Sequence, residues 1–405
     1  MSTFLIGRSG ENKAVKFLEK NGYNIIKKNY HAANGEIDII AKKGERLSFV
    51  EVKTRKDATF GYPSDAVTFR KQQKIINTAK AFLTYYDEYN EISFDVCEVY
   101  IKERRINYIE NAFSAEWFFL KFFDCHCDTL LKMYRAKKGF YNNSFDYDFS
   151  KFSFCDEPHV VCAVFNDGSL FRKDIISVVE FFKEQTKALH NAKLYLSVEG
   201  IGNQPDFCIG DVELYKSYGM RMASLCWNND NVLCGGIKNN SDGLSELGRE
   251  TIKEMRKNSV IVDVSHASDK TFCDILKINN VCVCASHSNS RLVYHHNRNL
   301  TDDQFKAIVA NGGVVGVNFY PDFVMGEGSD VDDVILHIEH FLEIGGENNI
   351  GIGSDFDGID KKCKNLEDCM GIYELKERLL AKGYNQSFIN KLFFENFGKI
   401  FKKYE

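Results

Sequence analysis

The spacing of apolar positions changes character near residue 120. Before that point it reads α-β-β-β-α-β. Ala14, Val15, Phe17 and Leu18 share one helical face within 11–20, and Asn21-Gly22 ends that helix. Strand-like runs follow at 23–30, 36–41 and 47–53, the last two joined by the turn Lys42-Lys43-Gly44-Glu45. Val67, Ile75, Ile76, Ala79, Phe82 and Leu83 make the apolar stripe of an amphipathic helix over 64–86. Returning strands are expected at 94–100 and 106–109. Beyond the boundary, β-type runs occur at 122–128, 160–166, 194–199, 221–227, 260–266, 281–286, 314–319 and 350–355. Helical patterns such as 247–257 and 331–342 lie between most of them. Eight strand–helix units in about 285 residues have the size and rhythm of a (β/α)8 barrel. A doubly wound open sheet is the competing arrangement. No Gly/Ser/Pro-rich linker separates the halves, and the boundary is expected near 111–121. The pattern therefore predicts an α/β protein of two domains, 1–115 and 121–405.

Composition adds the class. With 405 residues, 44% hydrophobic, 27% charged and only 4 prolines, the chain is neither disordered nor fibrous. No stretch approaches the roughly 18–20 apolar residues of a membrane span, and the start lacks a basic region followed by an apolar run. A soluble, cytoplasmic protein without a membrane partner is expected. The 13 cysteines, odd in number and scattered through a large chain, point to reduced thiols. Cys125/Cys127 and Cys282/Cys284 alternate without CxxC spacing, which reads as small apolar residues on buried strands. The net charge of −5 is an average: residues 1–110 hold 19 Lys+Arg against 15 Asp+Glu, a net +4, and the rest carries −9. A basic front and an acidic back suggest modules with different partners.

In the front half, acidic residues sit on strands, where solvated charge is unusual. Period 2 puts Glu51 and Lys53 on one face, opposite Val50 and Val52. Asp38 on the neighbouring strand then meets Glu51, giving two oxygen ligands for a hard ion such as Mg²⁺ or Mn²⁺. Lys53 would orient the attacking water, and Glu11 on the first helix would add a third carboxylate. An isolated Glu-x-Lys is usually a surface ion pair, so the longer match matters. Gly10-Glu11-Asn12-Lys13-Ala14, Asn34-Gly35-Glu36-Ile37-Asp38-Ile39-Ile40, Phe49-Val50-Glu51-Val52-Lys53-Thr54-Arg55 and Phe60-Gly61 to Val67 with Lys71 resemble the YraN-like family. That family is related to Holliday junction resolvases. Over residues 7–110 the resemblance implies a restriction-endonuclease-like α/β fold and a site of Glu11, Asp38, Glu51 and Lys53. It further implies Arg55, Arg70, Lys71 and Lys74 as phosphate contacts, and branched, single- or double-stranded DNA as partner. The alternative is a non-catalytic DNA-binding or dimerisation module, which would make the protein a homodimer.

In the back half, metal-ligand residues fall at the ends of successive strands, the positions that converge on one mouth of a barrel. His126 and Asp128, at i and i+2, point the same way and can share an ion. His266 and His287 can hold a second, and Glu199 can bridge both. Imidazole with carboxylate suits Zn²⁺.

Phe123-Asp124-Cys125-His126-Cys127-Asp128-Thr129, Val198-Glu199-Gly200, Gly243-Leu244-Ser245 with Gly248-Arg249-Glu250, Asp263-Val264-Ser265-His266, Ala285-Ser286-His287-Ser288 and Gly353-Ser354-Asp355-Phe356-Asp357-Gly358 closely resemble the membrane (renal) dipeptidase family. The resemblance runs from about 121 to 405 and implies a metal-dependent-hydrolase TIM barrel with two Zn²⁺. It implies that His126, Asp128 and Glu199 hold one ion and Glu199, His266 and His287 the other. A hydroxide bridging the ions would then attack a dipeptide or similar small amide, with Asp355 passing its proton to the leaving amine. Arg298 matches the family's arginine for the substrate carboxylate. Trp227 stands where the family carries a substrate-contacting histidine, which leaves side-chain preference open. A different small amide or a lactone is the alternative substrate. No lipid-anchor signal is read.

Overall fold

Two sheets organise the chain, each in its own compact unit, Met1–Phe119 and Leu120–Glu405. The computed structural model describes residues 3–32, 35–55, 67, 69–86, 88–113, 121–151, 155, 158–187, 189 and 192–404.

In the first unit the strands β1 (Asn24–Ala32), β2 (Gly35–Lys43), β3 (Arg46–Arg55), β4 (Glu91–Tyr100) and β5 (Arg105–Phe113) lie in chain order across one sheet. All neighbours are antiparallel except β3 and β4. A parallel pair needs a crossover, and helix α2 (Phe69–Leu83) lies in that connection. Helix α1 (Thr3–Lys20) packs Ala14 and Leu18 on the face that carries Ile39, Ala41, Val50 and Cys97. Phe82 of α2 meets Phe49 edge-on at 6.1 Å, on the opposite face.

Three boundaries differ from the sequence reading. α1 begins at Thr3 rather than near 11, because Gly7, Ser9 and Gly10 mask its helical period. α2 stops at Leu83, with 84–86 in a turn and 64–66 and 68 outside the described residues. β5 continues to Phe113, so the expected boundary lies in 114–120, also outside them.

In the second unit β6 (Phe123–Cys127), β7 (His159–Phe165), β8 (Lys193–Glu199), β9 (Met220–Ser224), β10 (Ile261–Asp263), β11 (Val283–Cys284), β12 (Val315–Val317) and β13 (Ile350–Ile352) form one parallel sheet. Its order, β11-β10-β9-β8-β7-β6-β13-β12, has β11 and β12 at its ends. A parallel bridge between Ala285 and Val315 joins those ends, with Ala285 N donating to Val314 O at 3.1 Å and Gly316 N to Ala285 O at 2.8 Å. The sheet is therefore a barrel and not an open doubly wound layer. Phe123, Cys125, Tyr195, Met222 and Cys284 fill its lower interior, and the helix Asn396–Lys403 seals it with Phe397 and Phe401. All thirteen cysteines are free thiols. Among the described residues no helix is long and apolar enough to cross a membrane.

Candidate metal centre at the barrel mouth

The barrel strands are shorter than the apolar runs that announced them, and the difference builds the site. His266, His287 and Asp355 each lie three residues beyond the last residue of β10, β11 and β13. There the chain has left the ladder and can turn side chains into the mouth. His126 is on β6 itself, Glu199 ends β8, and Asp128 precedes the helix Thr129–Ala136. Asp355 adopts φ 63°, the left-handed region, with its N–H donating to His126 O at 3.1 Å. Gly358 is required beside it, since a Cβ there would lie 2.1 Å from Asp128 Oδ2.

Three overlapping groups of ligand-type atoms result: His126, Asp128 and Glu199; Glu199, His266 and His287; and His126, His287 and Asp355. Glu199 joins the first two, with Oε2 3.4 Å from His126 Nε2 and Oε1 2.8 Å from His266 Nε2. Asp128 Oδ2 is 3.6 Å and Asp355 Oδ1 3.9 Å from His126 Nε2.

The second layer of contacts sets the proton positions. Ser286 Oγ donates to the buried Asp263 Oδ2 at 2.5 Å and so accepts Nδ1–H from His287 at 2.7 Å. Asn228 Oδ1 accepts Nδ1–H from His266 at 2.9 Å. Both histidines thereby turn unprotonated Nε2 atoms toward each other, 3.0 Å apart. Two lone pairs facing at that distance repel unless a cation lies against them.

Burial and Arg298 push His266 down to about 4. Burial and His126 hold His287 well below its usual range, so both imidazoles are neutral, the form that ligates metal. Burial opposes the charge on Glu199, yet the neighbouring His126 outweighs it and keeps the carboxylate below its usual range. Burial, with Asp128 and Glu199 nearby, raises Asp355 to about 7, and Asn318 Nδ2 donates to its Oδ2 at 2.9 Å. Among the described residues, His126 Nδ1 and Nε2 and Asp128 Oδ1 are buried without hydrogen-bond partners. An orphaned carboxylate oxygen and facing imidazole lone pairs fit bound cations.

Asn228, Asn318, Asp263, Ser286 and Asp124 are supporting residues to which sequence reasoning gave no role. Asp124 receives Ser354 Oγ at 2.6 Å and His126 N at 3.2 Å, which locks β6 to the turn after β13. A sequence signal was present for Asp124 and Ser286, polar residues alternate or adjacent to His126 and His287 in otherwise apolar strands, and absent for Asn228 and Asn318.

A cavity of about 820 Å³ opens over these groups, lined among others by Leu131, Phe165, Trp227, Arg298 and Asp355. Trp227 meets Phe165 edge-on at 4.9 Å. Arg298 is 5% exposed and lies over the Phe323 ring at 5.2 Å. Its Nη1 donates to Ser265 O, and Nη2 is 3.3 Å from His266 Nε2, leaving Nε without a partner among the described residues.

The first unit brings together part of its expected set. Asp38 Oδ2 accepts from Val52 N at 2.7 Å. Burial and the nearby Glu51 raise its carboxyl to about 7. Glu51 is 3% exposed and pairs with Lys53 at 3.0 Å, so the two share a face. Lys71 lies 3.2 Å from Glu51 and 3.8 Å from Glu36, an ion-paired position rather than a free phosphate contact. Glu11 comes from α1 and its charge reaches Asp38, and no group of three metal-ligand atoms forms in this unit among the described residues. Lys74 is exposed, while the side chains of Arg55 and Arg70, and residues 60 and 61, lie outside the described set.

Comparison with known proteins follows the same division. The family model described as membrane dipeptidase (peptidase family M19) matches residues 175–405. That stretch includes Glu199, His266, His287, Arg298 and Asp355; His126 and Asp128 precede it. The model of uncharacterised protein family UPF0102 matches residues 10–99. An uncharacterized dipeptidase of Schizosaccharomyces pombe is 40% identical over 183 residues, which is 43% of this chain and 43% of its own length. A second from the same organism is 37% identical over 175 residues, 42% of this chain and 43% of its own. The chain thus spans less than half the length of these curated relatives. A metallo peptidase from Rhodobacter sphaeroides, solved with a phosphinate mimic of the dipeptide L-Ala-D-Ala, superposes with a TM-score of 0.64 at 20% identity. It covers 71% of this chain and 100% of its own, a likeness of fold.

Proposed function

The chain belongs to the membrane dipeptidase family (peptidase family M19), and on that footing we propose that its barrel is a zinc-dependent dipeptidase. The observation that carries the reading is the shared carboxylate of Glu199 between two ligand groups, with unprotonated Nε2 atoms of His266 and His287 at 3.0 Å. His126, Asp128 and Glu199 would hold one ion, and Glu199, His266 and His287 the other. Their nitrogen and oxygen donors suit Zn²⁺. Bound there, such ions would supply Lewis acidity, lowering the pKa of water and polarising the scissile carbonyl.

The chain's own groups do the rest. Asp355 is held through Oδ2 by Asn318 and keeps Oδ1 toward His126, where it can take a proton from the attacking water and return it to the leaving amine. Arg298, which lines the cavity, is the guanidinium that would hold a substrate carboxylate. Trp227 and Phe165 form an apolar wall where an imidazole would otherwise reach the substrate. Thirteen free thiols suit a reducing compartment, and we place the protein in the cytoplasm. Treating the purified protein with chelator should abolish hydrolysis of L,L and L,D dipeptides, and Zn²⁺ should restore it. Hydrolysis that persists after the metal is removed would refute the reading.

For the first unit we propose metal-dependent nuclease chemistry at Asp38, Glu51 and Lys53, supported by the buried carboxylate pair. Pairing of Glu51 with two lysines, with no three-ligand group in this unit among the described residues, favours the second reading, a DNA-binding or dimerisation module without turnover. With Mg²⁺ or Mn²⁺ the first predicts nicking of branched DNA that Glu51→Ala abolishes. The second predicts salt-dependent binding without cleavage.

A further inference from the structure

The mouth is two-chambered. Beside the 820 Å³ cavity lies a second of about 400 Å³, and both are bounded by Trp227, Asn228, Arg298 and Phe323. The larger chamber holds the carboxylates Asp128, Glu199, Asp355, Asp357 and Asp360. The smaller is lined by no carboxylate and by two cations, Arg298 and Lys238. Once Asp128 and Glu199 hold cations their charge is compensated, so the field that sorts a zwitterionic substrate is that of the smaller chamber, whose two cations draw its carboxylate end.

Arg298 is already committed. It is buried, with Nη1 donating to the Ser265 carbonyl and Nη2 to the His287 carbonyl at 3.4 Å. It is the cation assigned above to the backbone carboxylate of the released residue, and a second anion calls for a second cation. Lys238 differs. It is exposed and has no acidic partner among the described residues. Its segment is pinned to the metal centre, with Ile237 N donating to His266 O at 3.0 Å and Lys238 N to Asn228 O at 2.9 Å. The two residues it is tied to are a candidate ligand and the side chain that orients that ligand. The other cations near the mouth do not compete for this role: Lys132 is held by Asp357 at 2.8 Å, and Arg135 lines only the larger chamber.

We propose that the smaller chamber is the subsite for the residue released from the carboxyl side of the substrate, and that Lys238 selects an acidic side chain there. This rests on the dipeptidase reading and goes beyond it by naming the preferred leaving residue, Asp or Glu. The test compares kcat/KM for Ala-Glu, Ala-Gln and Ala-Ala, with the second residue in L and D forms, in the zinc-loaded wild type and in Lys238→Gln and Arg135→Gln. Binding of free glutamate and glutamine, read by titration calorimetry, supplies a measurement that needs no turnover. The wild type is expected to favour Ala-Glu over Ala-Gln by about tenfold, the worth of a charge-assisted hydrogen bond. Lys238→Gln should erase that ratio through KM while leaving Ala-Ala unchanged, and Arg135→Gln should keep it.

Equal binding of glutamate and glutamine by the wild type would overturn the proposal. So would a Lys238→Gln variant that loses Ala-Ala and Ala-Glu activity alike. If Ala-Ala is cleaved without a preference for glutamate, this inference falls and the dipeptidase reading stands. If glutamate binds over glutamine through Lys238 but no dipeptide is cleaved, the dipeptidase reading falls and the leaving-residue assignment with it, and the chamber stands only as a site for an acidic amino acid.

Discussion

Asn228 holds His266 in the tautomer a metal needs, and the contact spans 38 positions of sequence. Removing it frees the ring to rotate and protonate, so Asn228→Ala should weaken metal binding by about 10- to 100-fold, as measured against a chromophoric chelator. Gly358→Ala should act from the other side. Its methyl would displace Asp128 Oδ2, and metal analysis should find one ion lost. The candidate ligands were legible because each is a charged or imidazole side chain ending an apolar run. Their supports were not, since Asn228 with His266 and Asn318 with Asp355 become neighbours only when the barrel closes. The sequence reading also expected Arg298 to be available to substrate, whereas the fold turns part of its guanidinium onto backbone carbonyls.

At the scale of elements, the loop that carries Arg298 is clipped to the helix Val331–Glu343. His337 Nδ1 accepts from Ser290 N at 3.1 Å, and Nε2–H donates to Val324 O at 2.9 Å. Burial pushes His337 down to about 4, against an ordinary value of 6.5. Between those values the unfolded chain binds a proton that the native one excludes. Stability is therefore complete above about pH 6.5 and falls as pH drops toward 4, by up to about 3 kcal/mol. Gln at this position can make both hydrogen bonds without titrating. The urea-unfolding difference between wild type and His337→Gln should shift by that amount in favour of the variant between pH 7 and 4; a constant difference would refute the account. Element type was readable throughout, because period 2 and period 3.6 seldom overlap here. Element ends were not. Glycines hide the first turns of α1, and the barrel strands stop early because their last residues leave the ladder to build the site.

At the scale of the molecule, each unit has its own core, and only the barrel gathers metal ligands in threes among the described residues. Binding stabilises only the part that binds. Calorimetry of the zinc-loaded chain should therefore show chelator lowering the transition of the barrel while the other stays in place. The charge asymmetry of +4 and −9 along the sequence gains a physical reading on this scale, since several barrel carboxylates converge on one mouth. The most direct test of the central claim is metal content together with dipeptide hydrolysis for the wild type and Glu199→Ala. Two zinc ions per chain with hydrolysis in the wild type, and loss of both in Glu199→Ala, is the predicted result. A wild type that binds two ions and cleaves no dipeptide, or a Glu199→Ala variant that keeps its activity, would contradict it.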